Sequence, residues 1–258
     1  MARGPPGAAR GGRLSVAVRF LGSGNAFCDG GRSHACIHVT APGVSLLMDC
    51  GGSALPALKG AGIALAGIEA VAVTHLHGDH FGGIPYLILE QHFKGRKAPL
   101  TVAGPAALEE RVRAALFALY PDFVNEHRLG FPLDFVTLGA APVALGGARV
   151  SAYPVRHVPA ADPHGLRAEV AGKVIAYSGD CTWTEAIPAL AKGADLFILE
   201  ATSFATPDPV HLRYREIVER RGELDCRRIV LTHLGDETLA HLGEVALEYA
   251  TDGAVVTL

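Results

Sequence analysis

The chain lacks any apolar run approaching the roughly 18–20 residues of a membrane-crossing helix, which excludes a helical membrane protein. Its first residues, Met1 to Gly12, are Gly, Ala, Pro and Arg with no apolar stretch, so they do not read as a secretory signal. The expectation for 1–12 is a disordered arm; its arginines and lack of acids also fit a mitochondrial-type presequence. Cysteine is sparse: Cys28, Cys36, Cys50, Cys181 and Cys226 are scattered, odd in number and form no C-x-x-C pair. That argues against a disulfide framework or a cysteine metal site and favours a reducing, cytoplasmic setting. Basic excess is missing too, with 23 Lys and Arg against 26 Asp and Glu, a net charge of −3 and a pI near 6.4. A committed nucleic-acid binder would carry the opposite balance. No period of about 20–50 residues repeats, which excludes a solenoid.

What is present is a large apolar fraction, 49%, enough for a sizeable core, and the expectation is one α/β domain over 13–258. The pattern predicts strands over 14–20, 35–40 and 44–49, the last two a hairpin across Pro42-Gly43. Ser53 reads as the cap of a short helix to Lys59. A buried strand follows over 68–73, a helix over 83–92, a strand over 99–103, a helix over 105–119 and an irregular segment over 121–130. Strands are predicted over 133–138, 143–145, 148–155, 165–170, 173–177, 196–199, 227–231 and 254–258. Helices are predicted over 184–191, 211–221 and from 236 to about 249. The second half repeats the strand-then-loop logic of the first.

The densest chemistry lies directly after the buried strand, in Thr74-His75-Leu76-His77-Gly78-Asp79-His80. Imidazole nitrogens and carboxylate oxygens are the ligands that zinc-like divalent ions prefer. His75 and His77 are two apart, so an extended backbone points both to one side, and Gly78 lets the chain turn so that Asp79 and His80 face a second position. That is a chelate for two ions. Three further strand ends carry candidates: His157, Asp180 and His233. Asp49 ends another strand and reads as a partner for the outward nitrogen of a ligand histidine. The loop Phe93-Lys94-Gly95-Arg96-Lys97 reads as a solvated turn or a phosphate contact. His38, His92, His127, His164 and His241 are given no role; His34 could line a pocket.

The run His75-x-His77-x-Asp79-His80 resembles the signature of the metallo-β-lactamase superfamily, an αββα sandwich of two mixed sheets flanked by helices. That resemblance implies one ion held by His75, His77 and His157, a second by Asp79, His80 and His233, and Asp180 bridging both. It implies a hydrolase that uses a bridging hydroxide, with two divalent ions, zinc first and manganese or iron compatible. Leu21-Gly22-Ser23-Gly24-Asn25-Ala26, Leu47-Met48-Asp49-Cys50-Gly51, Ser178-Gly179-Asp180-Cys181, Glu200-Ala201-Thr202-Ser203-Phe204 and Leu231-Thr232-His233 resemble the phosphodiesterase branch, which contains RNase Z and the cyclic-phosphate phosphodiesterases of phosphonate breakdown. This implies catalytic roles for Asp79, His211 as general acid and Glu200 as its partner, and a homodimer as in relatives.

In RNase Z a long tRNA-gripping arm is inserted between the positions matching His157 and Asp180, which here are only 180 − 157 = 23 positions apart. With the acidic pI, this points to a small or cyclic phosphodiester rather than a structured tRNA. The phosphonate-pathway enzymes' cysteine-rich zinc site is also missing. Alternatives are a lactone, thioester or sulfate ester as substrate, a tRNA 3′-processing-type activity, or a di-iron redox or binding protein.

Overall fold

The computed structural model describes residues 15–258, so the reading of 1–12 as an arm lies outside the described residues. The first half runs β1 (Ala17–Gly22), β2 (Cys36–Ala41), β3 (Val44–Met48), α1 (Ala54–Gly60), β4 (Ala70–Ala72), α2 (Gly78–Phe81), α3 (Ile84–Phe93), β5 (Leu100–Gly104), α4 (Leu108–Leu119), α5 (Pro121–Glu126) and β6 (Leu133–Thr137). The second runs β7 (Val143–Leu145), β8 (Ala148–Pro154), β9 (His164–Val170), β10 (Lys173–Tyr177), α6 (Ala186–Ala191), β11 (Leu196–Glu200), α7 (Tyr214–Glu219), β12 (Ile229–Thr232), α8 (Asp236–Ala240) and β13 (Val255–Thr257).

Two sheets result, ordered β13-β1-β2-β3-β4-β5-β6 and β12-β11-β10-β9-β8-β7. Each has an antiparallel part built from hairpins and a parallel part built from crossovers: β3 to β6 in one sheet, β10 to β12 in the other. The parallel strands β4, β11 and β12 are buried at every position, as strands covered on both faces must be. Alternation in the hairpin strands decides which residues meet where. Val18, Phe20, Val39, Leu46 and Met48 of one sheet pack against Val150, Leu166, Ala168, Ile175 and Ile198 of the other. Their neighbours on the outer face, Leu47, Val71, Val73 and Val102, pack under Leu58, Leu87, Ile88, Val112 and Leu116 of α1, α3 and α4. Phe197, Leu199 and Leu231 likewise pack with Ile187, Leu190 and Ile217 of α6 and α7. The layers are therefore helix, sheet, sheet, helix, and the fold is the αββα sandwich of the metallo-β-lactamase fold. No helix among the described residues is long and apolar enough to cross a membrane.

Several local expectations need correction. The segment 121–130 contains α5, because Pro121 suits a first helical turn and Phe123 is drawn into the core under α3. Tertiary burial, not periodicity, orders it. The last helix stops at Ala240, and a single 3₁₀ turn over Leu242–Glu244 follows, leaving the chain to run beside β12 at 248–250 and reach β1 at 253–254. Ser53 precedes α1, but its hydroxyl makes no cap; it accepts the His34 amide at 2.8 Å and ties the β1–β2 loop down. Arg96 neither floats in solvent nor reaches toward the strand ends that hold the His/Asp clusters. It is buried, donating from Nε to Ala98 O at 2.7 Å, from Nη2 to Ile68 O at 2.9 Å and from Nη1 to Gln91 Oε1 at 3.2 Å. Its planar fork satisfies carbonyls that the loop would otherwise bury unpaired.

The two halves meet at the carboxyl ends of their parallel strands. Three main-chain bonds stitch the loops there: His164 N to Thr74 O at 3.0 Å, Leu76 N to Ala161 O at 2.9 Å and His233 N to Ser23 O at 3.0 Å. Within the first half, Gly51 allows a close approach of two of these loops. A β-carbon there would lie 2.1 Å from the Asp79 carbonyl oxygen, so only a glycine lets α2 settle on this loop.

Candidate metal centre

Two clusters of ligand-type atoms form where the loops meet. In the first, His75 Nε2 lies 3.1 Å and His157 Nε2 3.2 Å from His77 Nδ1, and Asp180 Oδ2 lies 3.7 Å from His75 and 3.9 Å from His157. In the second, Asp79 Oδ2 and Asp180 Oδ1 lie 3.2 and 3.3 Å from His80 Nε2 and 3.3 and 3.4 Å from His233 Nε2. A tetrahedron with metal–nitrogen bonds of 2.0–2.1 Å has edges of about 3.3 Å, close to the 3.2–3.4 Å of the second cluster and within the 3.1–3.9 Å range of the first. His80 Nε2 and Asp180 Oδ1 are buried and have no hydrogen-bond partner in the protein. Two such orphans facing each other are costly unless something sits between them. The residues present therefore fit a pair of divalent ions with Asp180 contributing one oxygen to each cluster.

The electrostatics agree. Burial pushes the His75 and His77 imidazoles below their ordinary range, and the neighbouring His80 and His157 add to it, so both present lone pairs rather than protons. Burial would raise Asp180, but His233 and His80 together hold it well below the usual carboxylate range; Asp79 is lowered the same way by His80 and His233. Burial would lower His80, yet Asp180, Asp79 and Asp49 overcome it and drive it well up. In other words, the carboxylates demand positive charge at this spot, and bound cations meet that demand without buried imidazolium.

Four of the five histidines, all but His77, are aimed by the outer nitrogen. His80 Nδ1 donates to Asp49 Oδ2 at 2.7 Å, His75 Nδ1 to Thr74 Oγ1 at 3.0 Å, His157 Nδ1 to the Val210 carbonyl at 2.7 Å and His233 Nδ1 to Thr202 Oγ1 at 3.0 Å. Asp49 and His233 sit at φ +61° and +57°, a region that non-glycine residues rarely occupy. Gly78 has no such requirement; it begins α2, and a β-carbon there would meet nothing within 4 Å.

His211 lies in a loop before α7, not at a helix start. Asp208 Oδ1 accepts the Val210 and His211 amides at 2.8 and 3.0 Å and shapes the turn. His211 Nδ1 reaches the buried Glu200 Oε1 at 2.9 Å and stands 4.0 Å from Asp180. Burial lowers this imidazole but Glu200 outweighs it, and the group is pushed up to about 9. Glu200 also accepts Cys181 N at 2.8 Å and Thr202 Oγ1 at 2.6 Å, so its own position is fixed.

Of these, His77, Asp79, His157, Asp180, His211 and His233 line a cleft of about 290 Å³, together with Asn25, Ala26, Phe27, Val158, Thr202, Asp208 and Val210. His34 stands behind it, donating from Nε2 to Ala26 O at 3.1 Å. Sequence reasoning gave no part to Thr74, Thr202, Phe27 or Asp208. The first two stood inside quoted motifs, but a threonine hydroxyl's partner is set by the fold and leaves no spacing to read.

A helix–sheet–sheet–helix sandwich with paired His/Asp clusters at its strand ends defines a metal-dependent hydrolase of the metallo-β-lactamase fold. Solved structures share that fold: YhfI from Bacillus subtilis superposes with a TM-score of 0.77 at 19% identity over 95% of this chain and 100% of its own. A diphosphatase of the PhnP family gives 0.73 at 19% identity, covering 93% and 97%. Ribonuclease Z from Methanothermobacter thermautotrophicus is 30% identical over 289 aligned positions, covering 93% of this chain and 92% of the relative, which puts the chain in the RNase Z-like branch. Within it, the chain belongs to the family described as Anti-Pycsar protein Apyc1, whose model matches residues 16–251.

Proposed function

We propose that the chain is a phosphodiesterase for small or cyclic phosphodiesters, using two divalent ions. His75, His77, His157 and Asp180 would hold one; Asp79, His80, Asp180 and His233 would hold the other. The donor set is all nitrogen and oxygen, which suits zinc and also admits manganese or iron. The ions, when bound, supply Lewis acidity toward the phosphoryl oxygens and a water acidified toward neutral pH.

The chain's own groups do the rest. Asp180, pinned between His80 and His233, fixes the spacing of the two clusters. Glu200 holds the Nδ1 proton of His211 and favours the imidazolium, so the separate Nε2 proton can pass to the departing oxygen within the cleft, leaving a neutral ring. The observation that carries this reading is the shared Asp180 oxygen pair with His211 beside it, 4.0 Å away.

Cleft size and lining support a small substrate. A volume of about 290 Å³ is at the lower end for ligand pockets. No Lys or Arg lines it and Asp208 does, so only the ions and His211 would neutralise substrate charge, and a single-charged diester suits that better than a polyanion. The 289 positions aligned with Ribonuclease Z exceed the 258 residues of this chain, so that relative has segments this chain lacks. Between His157 and Asp180 this chain has a 3₁₀ turn and the β9–β10 hairpin.

The test is hydrolysis of bis(p-nitrophenyl) phosphate and a nucleoside cyclic phosphate by protein loaded with zinc and, separately, manganese. Turnover of both is expected, well above that of p-nitrophenyl acetate, a thioester or a 3′-extended tRNA. Silence on the diesters with either ion, or faster ester or tRNA cleavage, would overturn the reading.

A further inference from the structure

Phe27 is 85% exposed, the most exposed large apolar side chain among the described residues, and it lines the same cleft as His77, Asp79, Asp180 and His211. A phenyl ring left in water costs free energy, and here it is not a floppy accident. Its loop is braced from three sides. Asn25 Oδ1 accepts the Phe27 and Asp29 amides at 3.2 Å each, and Asn25 Nδ2 donates to Asp29 Oδ2 at 2.7 Å. Asp29 in turn accepts the Asp236 amide at 3.1 Å, tying the loop to the start of α8. On the other side His34 Nε2 holds the Ala26 carbonyl at 3.1 Å. Cys28, at φ +57°, turns the chain sharply just after the ring.

The remaining apolar surface of the cleft comes from Ala26, Val158 and Val210, so the ring stands on an apolar wall beside the charged clusters. A rigidly presented aromatic ring next to a phosphoryl-binding centre, with no Lys or Arg in the cleft lining to recognise a second charge on that side, fits a flat uncharged group attached to the phosphate.

We propose that Phe27 is a specificity-determining residue that stacks on a planar aromatic substituent, such as a nucleobase, of the substrate bound at this centre. The proposal rests on the phosphodiesterase reading for the nature of the phosphoryl group but not for the stacking itself. Stacking of a base on an aromatic side chain corresponds to about a 5- to 100-fold gain in affinity.

The test uses binding to the zinc-loaded protein, read by calorimetry, with adenosine monophosphate and ribose 5-phosphate as the probes with and without the base. The wild type is expected to bind the base-bearing probe about 5- to 100-fold more tightly. Phe27→Ala should abolish that difference while leaving ribose 5-phosphate unchanged, and Phe27→Trp should restore it. The exposed position keeps both variants folded, which their thermal melts will report. Equal affinities in the wild type, or a difference that survives Phe27→Ala, would overturn the proposal. Diester hydrolysis measured on the same samples separates the two readings: no turnover with the affinity difference intact sinks the phosphodiesterase and leaves the stacking platform standing.

Discussion

Thr74 and Thr202 hold equivalent places in the two halves of the sandwich. Thr74 Oγ1 receives His75 Nδ1 at 3.0 Å and donates to Asp49 Oδ2 at 2.9 Å; Thr202 Oγ1 receives His233 Nδ1 at 3.0 Å and donates to Glu200 Oε2 at 2.6 Å. Each carboxylate then takes a second imidazole, His80 on Asp49 at 2.7 Å and His211 on Glu200 at 2.9 Å. The same three-part brace thus appears twice, once per half. In the first half both imidazoles face the ion clusters. In the second, one faces a cluster and the other, His211, is left for the cleft.

That relation predicts what Asp49→Asn will do. The amide keeps the shape and tolerates the left-handed backbone at this position, so the fold should persist. It removes the charge that aligns His80, and loss of such an outer partner typically weakens metal binding about 10- to 100-fold. Competition against a chelator measures this directly, with circular dichroism as the check on folding. Metal affinity equal to the wild type would show that Asp49 is only part of the core.

His211 and Glu200 are distinguished from the ion clusters by leaving-group dependence. A positioned acid contributes about 10²- to 10⁴-fold when the departing oxygen needs a proton, and little when it is already a weak base. His211→Ala should therefore cut cleavage of a nucleoside cyclic phosphate by about that factor, with a much smaller loss on bis(p-nitrophenyl) phosphate. Glu200→Gln should show the same pattern more weakly, because Glu200 acts through His211. Bound metal content should not change in His211→Ala. A uniform loss on both substrates would mean that His211 supports the site rather than delivers a proton.

The layered sandwich and the His75 to His80 run could be read ahead because both depend on short-range patterns, whereas the convergence of His157, Asp180 and His233 on that run was legible only through the family resemblance. Buried parallel strands announce themselves as apolar runs, and polar residues at their ends stand where the fold collects them. What could not be read depends on contacts across long separations. Arg96 looked like one of three loop cations, and only the carbonyls of Ile68 and Ala98 around it make it a buried clamp. The 245–254 segment lost its helix to docking: Leu231 N bonds Glu248 O at 2.8 Å and Ala250 N bonds Leu231 O at 2.7 Å, beside β12. Phe27 directly follows the Leu21–Ala26 run, and only its exposure and the bracing by Asn25 single it out.

Gly51 and Gly78 flank the same junction but should respond oppositely to alanine. At Gly51 the added carbon meets the Asp79 carbonyl oxygen at 2.1 Å and His34 Cβ at 2.6 Å, so backbone must move. Overpacking of this kind costs about 1–3 kcal/mol, and here it also displaces Asp79. At Gly78 nothing lies within 4 Å, and alanine is the better helix former at the start of α2. Urea melts and metal titrations on Gly51→Ala and Gly78→Ala should show loss of both properties in the first and wild-type values or better in the second. Loss of stability in Gly78→Ala would mean that the turn into α2 needs glycine after all.

His38 supplies a pH dependence away from the ions. It lies on β2 opposite Arg19 of β1, with Nε2 2.9 Å from Ser45 Oγ. Burial first, and the Arg19 charge second, push its imidazole down to about 4 from an ordinary value of 6.5. The folded state therefore prefers the neutral ring, and between pH 6.5 and 4 the unfolded chain binds more protons. Stability falls as pH drops through that window, with a contribution on the order of 1–3 kcal/mol once it is fully crossed. Above pH 6.5 both states hold a neutral ring and the effect vanishes. Carboxylates and the cluster histidines also titrate on the acid side, so the useful quantity is the difference between wild type and His38→Gln, both metal-loaded. That difference in unfolding free energy should be flat above pH 7 and should shift in favour of the variant as the pH falls from 6.5 toward 4. A difference that stays constant across the range would show that the ring is protonated in the folded protein as readily as in the unfolded chain.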